Sequence, residues 1–157
     1  MGSGTHGGFG ETFGAKSVIS ADATLVGNGK GFELKDAAKR IRKVPGYTDV
    51  VVHGTPNSIV ITFIKDDTEK TITLDHRRLA KYLKHSKGYE KGNIRLIACK
   101  TGSDKGSFAQ NLANKMGVIV RAPTDTVYIY PNGGIVIGPD MYTNTGKWID
   151  YHPKKKR

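Results

Sequence analysis

Two short hydrophobic runs in the middle of the chain each end on a reactive side chain. Residues 49–52 precede His53, and residues 94–98 precede Cys99. Both runs are rich in β-branched or aliphatic residues and lack helical periodicity, which predicts two buried strands of a mostly parallel sheet. Residues 75–86, between the runs, have the spacing of a helix, so the chain can cross over and place the second strand beside the first.

Parallel neighbouring strands would present both reactive side chains at one edge of the sheet. His53 and Cys99 would each follow the carboxyl end of a strand, where open α/β sheets place their ligand sites. A thiol beside an imidazole supplies a nucleophile and its base or acid. Each residue alone is more commonly an inert core thiol or a turn residue, so the prediction depends on their joint placement.

The fold class follows from the whole pattern. We expect an α/β fold with a small, mostly parallel central sheet, helices on its faces and two β-hairpin extensions. The hairpins are predicted around Asp66-Asp67 and Asn132-Gly133, because these residue types favour tight turns. The other predicted elements are helices at residues 34–44 and 107–116 and strands at residues 17–26 and 118–120.

The chain divides into one domain and two flanking segments. A single catalytic or effector domain is predicted at residues 17–152, since no linker or internal repeat divides it. Residues 1–16 are expected to be a flexible leader, without the basic and apolar regions of a signal peptide, and residues 153–157 a basic tail. No apolar run approaches the ~18 residues that a membrane-spanning helix needs.

Composition limits the chemistry that the domain can support. The single cysteine excludes an internal disulfide and a multi-cysteine zinc site, and the five histidines are scattered, so no metal or cofactor is expected. The formal net charge is +11, which predicts attraction to nucleic acid, an anionic membrane or an acidic protein. The same charge would also simply keep the domain soluble, and this alternative stays open.

The spacing of the two reactive residues resembles that of a known clan. His53-Gly54 follows one hydrophobic strand and Ala98-Cys99 ends another, which is similar to the caspase-like cysteine peptidases, including caspases, gingipains, clostripain and legumain. The resemblance covers residues 48–120. Residues 94–120, with the later Ala122-Pro123-Thr124-Asp125 and Pro131-Asn132-Gly133, are also similar to C-terminal modules of bacterial polymorphic toxins.

This resemblance implies a role for each matching residue. Cys99 would be the nucleophile and His53 the acid/base, and the Gly54 amide would donate to the oxyanion. Asp125 would select a basic substrate side chain, or would serve only as a turn or helix-cap residue. Thr101 and Ser103 would line the same substrate pocket, or would merely shape the loop after Cys99.

The toxin resemblance implies a context for the domain. It would be an effector in interbacterial competition, secreted as part of a larger protein and delivered to the cytoplasm of a target cell. Its substrate would be a protein, and its natural partner an acidic immunity protein, because opposite charge speeds association.

Two alternatives from other functional classes remain. A basic ribonuclease would bind RNA through Arg40, Arg42, Arg77 and Arg78 and use His53, His76 or His85 as acid or base. A catalytically inactive interaction module would need neither His53 nor Cys99. Replacing Cys99 by alanine distinguishes the first alternative, since phosphodiester cleavage does not need the thiol.

Overall fold

The computed structural model describes residues 11–12, 17–19, 37, 40–85, 89 and 91–154. Within these residues the chain forms two helices and eleven strands. The helices are α1 (His76–Lys84) and α2 (Phe108–Met116). The strands are β1 (Glu11–Thr12), β2 (Ser17–Ile19), β3 (Tyr47–Val51), β4 (His53–Gly54), β5 (Ile59–Lys65), β6 (Thr68–Leu74), β7 (Asn93–Ile97), β8 (Val120–Pro123), β9 (Val127–Ile129), β10 (Ile135–Ile137) and β11 (Trp148–Tyr151).

The central sheet has six strands in the order β1-β2-β3-β7-β8-β11. The four inner strands, β2, β3, β7 and β8, run parallel to one another, whereas β1 and β11 pair antiparallel at the two edges. The described chain is therefore a mixed α/β fold with a mostly parallel central sheet, and the prediction is confirmed at this level.

Successive side chains on the inner strands pack alternately into two separate cores. One core contains Val50, Leu96 and Ala98 together with the buried faces of α1 and α2. The other contains Val51 and Ile97, which pack against the β9–β10 hairpin. Because successive residues of a strand point to opposite faces, the two helices cover one face of the sheet and the hairpin covers the other.

The two helices begin and end close to where their sequences predict. The side chain of Asp75 caps α1 by accepting a hydrogen bond from the Arg78 amide at 2.9 Å. Gly117 ends α2 in the left-handed conformation, with a φ of 71°. Both helices bury leucine and alanine side chains against the same core.

Both predicted hairpins are present. In the first, Asp66 and Asp67 form the turn between β5 and β6 with φ angles of 54° and 60°. Two consecutive positive φ angles are characteristic of the tight turns whose twist matches a hairpin. In the second, the Tyr130 amide donates to the Gly134 carbonyl at 2.8 Å, which closes the turn between β9 and β10.

The structure departs from the sequence prediction in four places. The run that was predicted to reach His53 as one strand divides at Val52, and β4 joins β5 and β6 in a separate three-stranded sheet. Residues 148–151, which had no recognisable period, form the edge strand β11. Residues 40–44, at the end of a predicted helix, are not helical, and the short strand β1 lies within the predicted leader.

Several predicted features lie outside the described residues. These are residues 34–36 and 38–39 of the predicted helix, of which Ala37 is described and helical, most of the predicted leader (residues 1–10 and 13–16), residues 20–26 of the predicted strand, and residues 155–157 of the basic tail. Among the residues that the structure describes, no helix is long and apolar enough to cross a membrane.

A row of four charged side chains crosses the central sheet. Asp49, Arg95, Arg121 and Asp150 are register partners on the adjacent strands β3, β7, β8 and β11. Arg95 donates from Nε and from a terminal nitrogen to the two carboxylate oxygens of Asp49, at 2.7 and 2.9 Å. Arg121 makes the same two-pronged contact with Asp150, at 2.6 and 3.0 Å. The row thus consists of two bidentate ion pairs, one joining β3 to β7 and the other joining β8 to β11, and each pair favours the observed register of its two strands.

Candidate active site

The register of the central sheet gives His53 and Cys99 equivalent positions. Val51 of β3 is the register partner of Ile97 of β7, and the next amide, that of Val52, donates to the Ile97 carbonyl at 3.3 Å. His53 and Cys99 each lie two residues beyond this pair. The two residues therefore follow neighbouring parallel strands at the same carboxyl edge, as the sequence predicts.

Gly54 lies directly against the backbone of Cys99. A Cβ at position 54 would stand 2.7 Å from the carbonyl oxygen of Cys99 and 2.7 Å from the side-chain methyl of Thr101. Only a residue without a side chain allows this approach. The sequence His53-Gly54 therefore brings β4 into contact with the turn that carries the thiol.

The hydrogen-bond pattern of β4 leaves the Gly54 amide directed away from β5. The Thr55 amide donates to the Ser58 carbonyl at 2.9 Å, so these residues form a hydrogen-bonded pair. In an antiparallel ladder such pairs alternate with pairs that do not exchange hydrogen bonds. Gly54 and its partner Ile59 are the next pair along. Their amides consequently face away from each other's strands.

The sulfur of Cys99 is half-buried beneath the start of β9. The Val127 amide donates to the sulfur across 3.4 Å, and the Val127 carbonyl oxygen lies 3.9 Å from it. The side chain also packs on the core that contains Val51 and Ile97. The thiol therefore belongs to the hairpin-covered face of the sheet.

Asp125 lies beside the turn that follows Cys99. Its carbonyl oxygen accepts a hydrogen bond from the Lys100 amide at 3.0 Å, and Lys100 has a φ of 60°. This strained, left-handed conformation is uncommon for a lysine. The carboxylate of Asp125 accepts from the Thr126 amide at 2.8 Å. That contact engages one carboxylate oxygen of Asp125 with the amide of the next residue.

Thr101 and Ser103 contribute mainly to the shape of the loop. The Thr101 side chain is buried, and its hydroxyl donates to the Ala98 carbonyl at 2.8 Å. The Ser103 hydroxyl accepts from the Lys105 amide at 3.1 Å. Of the two roles that the sequence leaves open for these residues, these contacts favour the loop-shaping one.

Contacts that the sequence does not predict hold the turn at residues 55–58 against the loop that follows Cys99. The Phe108 amide at the start of α2 donates to the Pro56 carbonyl at 3.1 Å, and the Ser107 amide donates to Asn57 Oδ1 at 3.3 Å. Gly106 makes this possible, since a Cβ there would stand 2.3 Å from the Pro56 oxygen. From the other side, the Tyr151 hydroxyl donates to the Gly102 carbonyl at 2.7 Å.

The ionisable residues considered at this edge of the sheet are Cys99, His53 and Asp125. Among the described residues, no group of three histidine, cysteine or acidic side chains is placed to hold a metal ion. The four arginines that the ribonuclease alternative requires are not brought together. Arg40 donates to the Pro131 carbonyl on the hairpin side of the sheet, whereas Arg77 and Arg78 lie on α1.

The described chain is a mixed α/β domain in which His53 and Cys99 follow neighbouring parallel strands, and Gly54 packs on the backbone of Cys99. The chain belongs to the family described as Domain of unknown function (DUF8616), whose model matches residues 21–137. The match covers well over half of the chain and includes every residue of the site from His53 to Asp125. No curated protein and no solved structure gives a significant match to the chain.

Proposed function

We propose that the domain is a thiol peptidase of caspase-like architecture with a Cys99-His53 dyad. The observation that carries the proposal is the contact between Gly54 and the Cys99 backbone, at the edge where β3 and β7 place His53 and Cys99 in equivalent positions. If Cys99 were only an inert core thiol, there would be no reason for Gly54, the residue after His53, to pack against the carbonyl group of Cys99.

The chemistry assigned to these residues is acyl transfer. The Cys99 thiolate adds to the substrate carbonyl, and the resulting oxyanion accepts a hydrogen bond from the Gly54 amide, which faces away from β5. The protonated His53 then donates its proton to the departing amine, which leaves a thioester on Cys99. Water, deprotonated by His53, hydrolyses the thioester and regenerates the thiol.

The cellular role in the proposal follows from the resemblance to polymorphic toxin modules. The domain would act as an effector released from a larger secreted bacterial protein in the cytoplasm of a target cell, where it would cleave a protein substrate. An acidic immunity protein would bind it, since the net charge of +11 favours rapid association with an acidic surface.

Alkylation of the thiol tests the dyad directly. The chain has one cysteine, so iodoacetamide incorporation measured by mass spectrometry reports on Cys99 alone. We expect the folded protein to be alkylated readily below pH ~7, and the His53→Ala variant to react more slowly at the same pH. His85→Ala is the matched control, because His85 is an exposed histidine at the C-cap of α1, and its replacement should leave the rate unchanged.

Two results would contradict the peptidase proposal. A Cys99 that reacts only after unfolding would be a core thiol. A rate that is the same in the wild type and in the His53→Ala variant would mean that the imidazole does not act on the thiol. With an activated thiol established, loss of peptide cleavage in the Cys99→Ala variant would separate a peptidase from a nuclease.

A further inference from the structure

Helix α1 presents an unusual concentration of positive charge to solvent. Its nine residues include four lysines and arginines and no acidic residue, and the carboxylate at its start is that of the N-cap Asp75. The charged side chains are exposed. Arg77 and Lys81 are four positions apart, and Lys81 and Lys84 are three apart, so like charges are neighbours on the helix surface and repel one another.

Two open clefts lie beside the carboxyl end of α1. One has a volume of about 430 Å³ and is lined by Arg78, Lys81, Tyr82 and His85. The other, of about 720 Å³, is lined by Lys84, Tyr89, Lys91, Gly92, Met116 and Val118. We call the cationic and aromatic residues of both clefts the α1 surface. Its described lining residues thus combine cations with aromatic rings and include no carboxylate.

The α1 surface is separate from the site at Cys99. The buried side of α1 packs on the core that contains Leu96, whereas Cys99 packs on the core of the opposite face of the sheet. In addition, Gly92 precedes the amino end of β7, and Cys99 follows its carboxyl end. A ligand on the α1 surface would therefore bind independently of the thiol.

We propose that the α1 surface binds single-stranded nucleic acid. Cations spaced along a groove track a phosphate backbone, and aromatic rings between them provide faces on which bases stack. Tyr82 and Tyr89 are half-buried against the core, and each lines one of the two clefts together with lysine or arginine side chains. An acidic protein would satisfy the cations but would not require the interleaved aromatic rings, so the combination favours a nucleic acid.

Fluorescence anisotropy of a labelled oligo(U) RNA of about 12 nucleotides tests the proposal with the full chain. We expect saturable binding whose affinity falls steeply between about 50 and 200 mM salt. The Lys81→Glu/Lys84→Glu variant should bind at least ten-fold more weakly, and its log–log salt slope should be smaller by about 1.4, since each lost contact with a single strand removes about 0.7.

A matched control distinguishes RNA binding by the α1 surface from attraction by the net charge of the whole protein. The Lys105→Glu/Lys147→Glu variant changes the net charge by the same amount at two exposed positions away from α1, and its affinity should fall less than two-fold. Tyr82→Leu keeps the charge and an apolar side chain. We expect it to weaken binding several-fold without a change in the salt slope. Circular dichroism confirms that each variant is folded.

The outcomes distinguish the proposal from its rivals. Equal weakening in the two double variants would mean that overall charge alone attracts RNA, and would overturn the proposal. Effective competition by oligo-glutamate at the same charge concentration, with no effect of Tyr82→Leu, would also overturn it and indicate an acidic protein partner. Cys99→Ala should bind RNA as the wild type does, so a failed peptidase proposal leaves this one intact.

Discussion

The α-carbon of Gly54 lies so close to the carbonyl oxygen of Cys99 that a methyl group on it would stand 2.7 Å from that oxygen. Gly54 is in β4 of the three-stranded sheet, whereas Cys99 is in the turn that follows β7 of the central sheet. Their contact is therefore the point at which the three-stranded sheet and the central sheet are held together beside the thiol.

Replacing Gly54 by alanine should disturb both stability and the site. The added methyl group would force the Cys99 turn and β4 apart, and overpacking of this kind costs about 1–3 kcal/mol. We expect a lower midpoint in urea unfolding, together with a changed rate of Cys99 alkylation in the folded protein. Gly134→Ala is the control, since the nearest atom there is a side-chain oxygen at 3.1 Å. Wild-type stability in the Gly54→Ala variant would contradict this account of the contact.

The buried pair of Asp49 and Arg95 should behave as a coupled unit. The two side chains are 1% and 8% exposed, so removing Asp49 leaves Arg95 without its carboxylate, and removing Arg95 leaves the buried Asp49 with only the longer, 3.6 Å contact to Lys43. We expect Asp49→Leu and Arg95→Leu each to destabilise the protein by about 3–5 kcal/mol, and the double variant to lose much less than the sum. Urea unfolding of the three variants measures the coupling. Additive losses would show that the pair is not a unit.

Local sequence patterns were sufficient to predict most of the elements that surround the site. The apolar runs before His53 and Cys99 predict the parallel strands, because such runs are typical of strands buried on both faces. The turn residues Asp66-Asp67 and Asn132-Gly133 predict both hairpins, since few residue types adopt the required backbone angles. The equivalent placement of the thiol and the imidazole follows from these elements alone.

The contacts that the sequence did not predict join residues that are distant along the chain. Nothing near Gly106 indicates that it packs on Pro56, because the reason for a glycine there lies in another loop. Strand β11 was missed because an edge strand with both faces partly exposed need not alternate. One signal was present: Arg95 is a charged residue inside an apolar run, and a buried charge requires a partner on a neighbouring strand.

The second ion pair of the charged row predicts a dependence of stability on pH. Hydrogen bonds from Arg121 hold the pKa of Asp150 below its ordinary value. A carboxyl whose pKa is lower in the folded state stabilises the protein above its unfolded pKa, and this contribution is lost as the pH falls through the folded pKa. We therefore expect Asp150→Asn to be less stable than the wild type at pH 7.

The difference between the wild type and the Asp150→Asn variant should begin to shrink as the pH falls below about 4, the pKa of the carboxyl in the unfolded chain, and should disappear below its lower pKa in the folded protein. Thermal unfolding followed by circular dichroism between pH 7 and pH 2.5 measures it. Asp104→Asn, which changes an exposed carboxylate in the loop after Cys99, controls for the loss of one negative charge. A difference that stays constant over this range would contradict a role for the ionised carboxylate.

The charge of α1 should prove unfavourable for the stability of the helix itself. Arg77 lies in the first turn, where a carboxylate would interact favourably with the helix dipole, and four residues before Lys81. Arg77→Glu replaces the repulsion between Arg77 and Lys81 by an attraction, but it also loses the attraction between Arg77 and the N-cap Asp75, so the free energy of unfolding should rise by no more than about 0.5 kcal/mol. Urea unfolding at low salt measures the gain, and salt should reduce it by screening. Arg77→Gln, which removes the repulsion without adding a carboxylate, should give a smaller gain.

If neither variant is more stable than the wild type, the positive charge does not weaken the helix, and the repulsion argument for a bound polyanion fails. If both gains are found, a helix that would be more stable with an acidic residue keeps its arginine, which is expected where the positive surface serves binding rather than folding.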